Sequence, residues 1–424
     1  MWADLDADGR RAALARPAGR TDSGVVDGVR AILDEVAAEG WDAVVRLALK
    51  LDGSAPRLVP VAEPASRARR ALPAEAVEAM AFAHRNLCTV AERQQPEPTR
   101  TEPVPGLAVE TQWRALERVG LYVPGGATPL FSTLLHLAVP AQAAGVPELV
   151  ICTPPRLDGE LDGAIALAAE LCGIDAIWTL GGAQAVAAMA LGAGPIAPVA
   201  KLCGPGNAWV AEAKRQAAAR PGGPALDMPA GPSELLVIAD SSADPALVAA
   251  DLLGQAEHDA HAQVLLVTPS PALAEAVAAE ATRQLATLPR QAQAAASMAH
   301  ARAIIVPDLA TAAAVADAYA PEHLQLAVVD PGALLPRIRN AGAVFAGHAL
   351  AETFGDYLTG SSHVLPTDGA ARAWGGVGVH TFLRPMSVQR VTPAAARALA
   401  APAAALARLE GLEAHARAAD RRAA

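Results

Sequence analysis

Nine short aliphatic runs, spaced by helix-like stretches, constrain this chain more than any other feature. Four begin at Arg118, Glu148, Ala176 and Val199, and five more at Glu234, Val264, Arg302, Leu324 and Gly342. Runs this uniformly apolar suit strands covered on both faces. The intervening segments are long enough for helical crossovers, so the strands should pair in parallel with helices on either side. Helices are expected at 132–144, 161–172 and 184–191. The alternation pauses once, at the Pro/Gly-rich stretch Asp227 to Ser233, which reads as a seam between two α/β units. Upstream, apolar residues at helical spacing (Val29, Ile32, Leu33, Val36) predict a helix from Ser23 to Lys50, broken at Gly40 and ended at Asp52 and Gly53. More helix is expected over 71–94, and a strand over Val109 to Trp113. After Arg390 the chain is Ala-rich and helical, with Thr392 as a cap, Pro393 as the first helical residue, an interruption at Pro402 and a break at Gly411. Two such short helices need a surface to dock on, either this chain's or a second subunit's.

Composition removes several function classes. Aromatic residues are 3% of the 424, so Ala, Val and Leu must fill the interior, and stacking of single-stranded bases has little to work with. The formal net charge is −10 without a Lys/Arg cluster, which argues against nucleic acid as a partner. The four cysteines (Cys88, Cys152, Cys172, Cys203) are scattered, which fits neither a disulfide framework nor a cysteine-based zinc site. The first twenty residues lack the apolar core of a secretory signal. The uncharged stretch from Val119 to Pro147 is broken by Pro124, Gly125, Gly126, Pro129 and Pro140, so it reads as α/β core and not as a membrane span. A soluble, cytoplasmic protein is expected.

Candidate chemistry collects in the second half, where eight of the ten histidines follow residue 250. In the segment from Asp251 to Gln263, Gln255 and His258 are three apart and share a helix face. An amide oxygen and an imidazole there could bind a divalent metal, or could simply belong to a polar helix face. Asp356, on an expected loop, and His415, near the C-terminus, could complete a set of two imidazoles, one carboxylate and one amide that suits Zn²⁺ with a position left for substrate. Asp259, His261 and His348 look like surface or capping residues. Glu322 and His323 lie at a helix-to-strand junction, where they could transfer protons or be a solvated turn. Three glycine-bearing loops, 124–126, 181–184 and 204–207, each follow a strand and precede a helix, so their N–H groups could face an anionic ligand such as a pyrophosphate. None is a G-x-G-x-x-G or Walker-type loop.

At this point a resemblance covers nearly the whole chain, from about Val25 to His415. The motifs that carry it are ArgValGlyLeuTyrValProGlyGly from Arg118, GlyGlyAlaGlnAla from Gly181, GlyProGlyAsnAla from Gly204, AlaLysArgGln from Ala213, AspMetProAlaGlyProSerGlu from Asp227, GlnAlaGluHisAsp from Gln255, ProGluHisLeu from Pro321, AsnAlaGlyAlaValPhe from Asn340, GlyAspTyr from Gly355, HisValLeuProThr from His363 and GluGlyLeuGluAlaHis from Glu410. The chain resembles the histidinol dehydrogenase family. That resemblance implies an α/β fold of two parallel-sheet Rossmann-like units with helical N- and C-terminal extensions. It implies an N-terminal extension over 1–23, a discontinuous first α/β domain of 24–121 and 233–377, a second of 122–232 carrying the NAD loops, and a C-terminal helical segment, 378–424, exchanged between the subunits of a homodimer. It implies the zinc-assisted, NAD-dependent four-electron oxidation of L-histidinol to L-histidine through a bound aldehyde.

By the same resemblance, Gln255, His258, Asp356 and His415 would hold zinc, and Glu322 and His323 would be the acid–base pair. Ser233, His363 and Glu410 would contact substrate together with Gln255, His258, His323, Asp356 and His415. Tyr122, Gln184 and Asn207 would line the NAD site. The likeness is looser at Ser362, where the family usually has Asn, and over 347–354 and 376–385. A zinc- and NAD-dependent dehydrogenase of another small alcohol, such as a sulfonated diol, and a zinc hydrolase using Glu322 and His323 on water are the alternatives.

Overall fold

The computed structural model of the chain describes residues 1–17, 23–125, 129–229 and 231–423. In chain order its strands are β1 (Arg57–Pro60), β2 (Thr99–Val104), β3 (Leu107–Ala115), β4 (Arg118–Tyr122), β5 (Glu148–Thr153), β6 (Ala176–Thr179), β7 (Lys201–Cys203), β8 (Ala225–Leu226), β9 (Glu234–Ala239), β10 (Gln263–Thr268), β11 (Arg302–Ile305), β12 (His323–Ala327), β13 (Ala343–Ala346) and β14 (Leu383–Val391). They form a six-stranded sheet ordered β1-β6-β5-β4-β7-β8, a five-stranded sheet ordered β11-β10-β9-β12-β13 and a three-stranded sheet ordered β14-β3-β2. The five-stranded sheet is wholly parallel, the six-stranded one is parallel apart from β1, and the third is antiparallel. All nine expected runs are strands of the two parallel sheets, with ends shifted by a residue or two.

Each parallel sheet is covered on both faces, which is why its strands read as unbroken apolar runs. In the first sheet Leu121, Ile151 and Ile177 face Leu134, Leu137 and Ile165, from helices Phe131–Ala143 and Gly163–Leu171. Tyr122, Val150 and Leu202 face the other way, against Val29, Leu33 and Val44 and the alanines of helix Gly182–Leu191. The second sheet is covered in the same manner, with β9 and β10 buried at every position. Each fully buried Leu, Ile or Val contributes about 1.5–3 kcal/mol. Among the described residues, no helix is long and apolar enough to cross a membrane.

The sheets divide the chain differently from the expected grouping of 24–121 with 233–377. Strands β1 and β4 belong to the first sheet, and helices Ser23–Glu39 and Trp41–Leu51 pack on the helices that cover it. The cause is the face of Val29, Leu33, Val44 and Ala48, which finds its complement on Ala183, Val186 and Ala187. The segment expected to be helical from 378 starts as a short 3-10 turn and then β14, which pairs along its whole length with β3. Pro385 masked that strand, and it is tolerated because β14 lies at a sheet edge. Pro402 does not interrupt helix Pro393–Leu409. Both Pro402 and Ala398 are exposed, so water can satisfy the carbonyl that proline leaves unpaired. Gly411 does end it: with φ +76° it lets Leu412 N–H reach Ala407 O (2.8 Å) and its own N–H reach Arg408 O (3.0 Å), a Schellman closure.

Candidate functional site

In the first sheet, β4, β5 and β6 step one way and β7 and β8 the other, so the winding reverses between β4 and β7. The expected glycine loops leave the carboxyl ends of β4, β6 and β7, the usual crevice for ligands in such sheets. Gly126, in the first loop, lies outside the described residues. Gly204 has φ +117°, and a Cβ there would fall 2.1 Å from Tyr122 O, so only glycine lets the loops approach this closely. The Tyr122 hydroxyl accepts the N–H of Gly182 (3.1 Å), and burial pushes its pKa up to about 12. Gln184 donates to Asp52 (3.1 Å), which also accepts Gly181 N–H (2.9 Å). Asn207 caps helix Ala208–Ala218 through the N–H groups of Trp209 and Val210 (3.1 and 3.2 Å), leaving its amide nitrogen for a ligand. Two residues that the sequence reading passed over fix the Gly204 loop. Lys214 and Asp227 form a buried ion pair (2.6 Å); Lys214 donates to Gly204 O (2.8 Å) and Asp227 accepts Gly204 N–H (2.7 Å).

The second constellation lies at the opposite, amino end of the second sheet. Gln255 closes helix Pro245–Ala256, and His258 follows in the turn before β10, so the expected pairing is realised with Gln255 Nε2 3.3 Å from His258 Nδ1. Gln255 is fully buried, and its Oε1 has no hydrogen-bond partner. Stranding an amide oxygen this way costs about 1–3 kcal/mol unless a ligand engages it. His258 touches solvent, yet atoms crowd the rest of its ring, and that desolvation lowers its pKa. His323 begins β12, beside β9. Its Nδ1–H donates to Glu234 O (3.1 Å), while Glu234 N–H donates to Glu322 Oε2 (2.8 Å). One residue of β9, Glu234, therefore holds both members of the expected acid–base pair through its backbone. It also fixes the tautomer, leaving the lone pair of His323 on Nε2, which is buried without a partner 3.7 Å from Asp356 Oδ1. Burial pushes the imidazole down to about 3 and the Glu322 carboxyl well above its usual range.

Asp356 was expected on a loop and instead lies in helix Glu352–Tyr357. That helix abuts the sheet because Gly355 has no side chain: a Cβ would fall 2.3 Å from Phe345, whose ring stacks on His323 at 5.9 Å. Burial raises Asp356 to about 7. One turn earlier on the same helix, Glu352 is buried with Oε1 3.4 Å from His323 Nδ1 and Oε2 unpartnered. His323, Glu352 and Asp356 each offer a ligand atom within 4.8 Å of the others. Sequence reasoning missed Glu352, although its i, i+4 spacing to Asp356 was visible. His363 donates from Nδ1 to Asp356 O (3.0 Å) and stacks on the buried His136, centroids 4.1 Å apart; burial lowers both imidazoles, His363 to about 4. Ser233 precedes Glu234 at the same end of β9.

Glu410 and His415 do not join this group within the chain. Both are exposed on the C-terminal helices, one of which carries Ala396, Leu399 and Ala403 over β3 and β14. The expected surface residues behave as such: His261 pairs with Asp259 (3.1 Å), and His348 meets Ser242 (3.1 Å). The arrangement thus offers a glycine-lined crevice on one sheet. On the other it offers buried oxygen donors for a divalent cation, among them the unpartnered Gln255 Oε1 and the Asp356 carboxylate, beside a His323 Nε2 that is also buried without a partner.

A family model described as histidinol dehydrogenase matches residues 15–423. A histidinol dehydrogenase of Xanthomonas campestris pv. campestris (strain 8004) is 45% identical over 418 residues, 98% of this chain and 97% of that one. One of Vibrio parahaemolyticus is 41% identical, covering 99% and 96%. The crystal structure of a histidinol dehydrogenase from Elizabethkingia anophelis superposes with a TM-score of 0.94 at 34% identity, over 99% of this chain and 96% of that one.

Proposed function

This chain belongs to the histidinol dehydrogenase family, and from that premise we propose that it oxidises L-histidinol to L-histidine with two equivalents of NAD⁺ through a retained aldehyde. The observation that carries the reading is the buried Glu322–His323 pair, pinned to the backbone of Glu234 in β9, with the buried oxygen of Gln255 left unpartnered. Gln255, His258 and Asp356 would hold zinc, with His415 reaching them from a second copy of the chain in a homodimer. Glu410 would arrive on the same exchanged segment and contact substrate with Ser233 and His363. Tyr122, Gln184 and Asn207 would line the NAD crevice. A biosynthetic role of this kind fits a cytoplasmic location.

When bound, zinc supplies a Lewis acid that orients the substrate, and NAD⁺ supplies the hydride acceptor. The chain's own groups manage the protons. His323 is neutral at physiological pH and carries its lone pair on Nε2, so it can take the substrate's hydroxyl proton in each oxidation. Glu322 has the raised proton affinity needed to draw a proton from water as the aldehyde is hydrated. Phe345 covers one face of the buried His323 ring and helps to hold the imidazole in place. The test is stoichiometry. Zinc-loaded protein should form two NADH per L-histidinol without releasing aldehyde. No turnover, or a preference for another alcohol such as a sulfonated diol, would overturn the substrate assignment.

A further inference from the structure

We propose that Arg16, in the segment preceding the first sheet's helices, is a positioning residue for the Glu322–His323 pair and acts through Glu234. The inference rests on the acid–base roles given to that pair above. The Arg16 guanidinium meets the Glu234 carboxylate with two nitrogens: Nε on Oε1, and Nη2 on Oε2 at 2.9 Å. Nη2 also donates to Tyr319 O (3.0 Å) and reaches Ala320 O (3.5 Å), and the guanidinium lies 4.0 Å over the Tyr319 ring. The Glu234 side chain is 3% exposed and also accepts Asp368 N–H (2.8 Å), so it is held on three sides.

Glu234 joins this clamp to the chemistry. Its side chain points to Arg16, while its own N–H and C=O hold Glu322 Oε2 and His323 Nδ1. Arg16 grips the other side of the pair as well. Tyr319 and Ala320 end the helix that runs into Pro321, Glu322 and His323, and Ala320 has the strained φ of +55°. One planar cation therefore ties β9 to the approach of β12, and the relative placement of these two strands sets the position of both catalytic groups. A lysine could not satisfy the two carboxylate oxygens, the two carbonyls and the ring face together. The segment has a second anchor of its own, Gln263 Nε2 to Ala15 O (3.0 Å), with Gln263 in turn accepting the Tyr319 hydroxyl (2.8 Å).

The experiment compares Arg16→Lys, Arg16→Ala and Glu234→Gln with the unaltered zinc-loaded protein, using Gln263→Leu as a control that loosens the segment but leaves Glu234 clamped. Arg16→Lys and Arg16→Ala should lower kcat by about ten- to hundredfold, the scale of a misplacement near 1 Å. KM for histidinol and NAD⁺ should change little. Millimolar guanidinium should restore part of the Arg16→Ala loss, and the double variant with Glu234→Gln should be no worse than the poorer single one. Gln263→Leu should cost less than either. Unchanged kcat, or kcat and KM failing together with the melting temperature and without guanidinium rescue, would overturn the proposal. Should Arg16→Ala fail to fold, Arg16→Lys and Glu234→Gln decide the question. A readout independent of substrate is the ¹⁵N spectrum of the His323 ring: the unaltered chain should hold the Nδ1–H tautomer, and the Arg16 variants a mixture. Wild-type protein inactive on histidinol would refute the substrate assignment, whereas an unmoved ¹⁵N spectrum would refute the role of Arg16.

Discussion

The two parallel sheets present their functional residues at opposite ends and in opposite states of completion. The first uses the carboxyl ends of its strands, and its loops are already tied. Gly181 and Gln184 are held by Asp52, Gly204 by Lys214 and Asp227, and Asn207 caps its own helix. The second uses the amino ends and, among the described residues, leaves buried polar atoms of Gln255, His323, Gln325 and Glu352 without partners, where the carboxyl ends of the first leave Thr153 Oγ1. A site for a cofactor that comes and goes benefits from a rigid, self-satisfied cradle. A site built for a resident cation must keep donors unpaired until the ion arrives, and it bears a stability cost in the meantime.

Four measurements would break or sharpen this contrast. His323→Asn removes the lone pair aimed into the second site, and NADH formation should fall by about 10²–10⁴-fold while zinc content stays near that of the unaltered chain. Turnover within a few-fold of normal would mean that the amino-end cluster is not the chemical centre. Gly204→Ala should disturb only the first sheet. It adds a Cβ against Tyr122 O and costs about 1–3 kcal/mol of backbone strain, so KM for NAD⁺ should rise while histidinol affinity holds.

The third measurement is the pH dependence of the metal-free chain. Burial raises Glu322, Glu352 and Asp356, Asp356 to about 7, so above the unfolded carboxyl range the folded state keeps protons that the unfolded state loses, and stability falls as pH rises. The depressed His323 and His363 act oppositely, but only below about pH 6.5, where unfolded imidazoles take up protons. Between about pH 6.5 and 8 the melting temperature of the metal-free protein should therefore drop, and zinc should flatten the slope. A flat metal-free profile would show that the second sheet carries no such cost. The smallest effect is expected from Asn207→Ala, about 0.5–2 kcal/mol in thermal unfolding through the lost cap.

Nine strands of the two parallel sheets were legible because burial on two faces writes an unmistakable run, as at Glu234–Ala239. β1, β2, β8 and β14 were not, since Arg57–Pro60, Thr99–Val104 and Leu383–Val391 are largely exposed edge segments containing proline, and Ala225–Leu226 is two residues long. In the site, Gln255–His258 and Glu322–His323 could be paired from spacing alone, because each pair is local. His136 and Arg16 were invisible because each acts across a long sequence separation: His136 meets His363 227 residues away and Arg16 meets Glu234 218 residues away. Glu352 and the Lys214–Asp227 pair are nearer in sequence, but spacing alone does not say that they turn inward. The grouping of 24–121 went astray similarly, since a helix face such as Val29 and Leu33 announces that it needs a partner but not which one.

The outer strands of the six-stranded sheet have a consequence for the protein in crowded solution. β8 is two residues long, and β1 runs against its neighbour and ends at Pro60, which has no N–H to offer. Neither flank gives a passing polypeptide a template to extend. Edge-to-edge pairing through this sheet is thereby disfavoured at both of its margins, where a longer or proline-free strand would invite it.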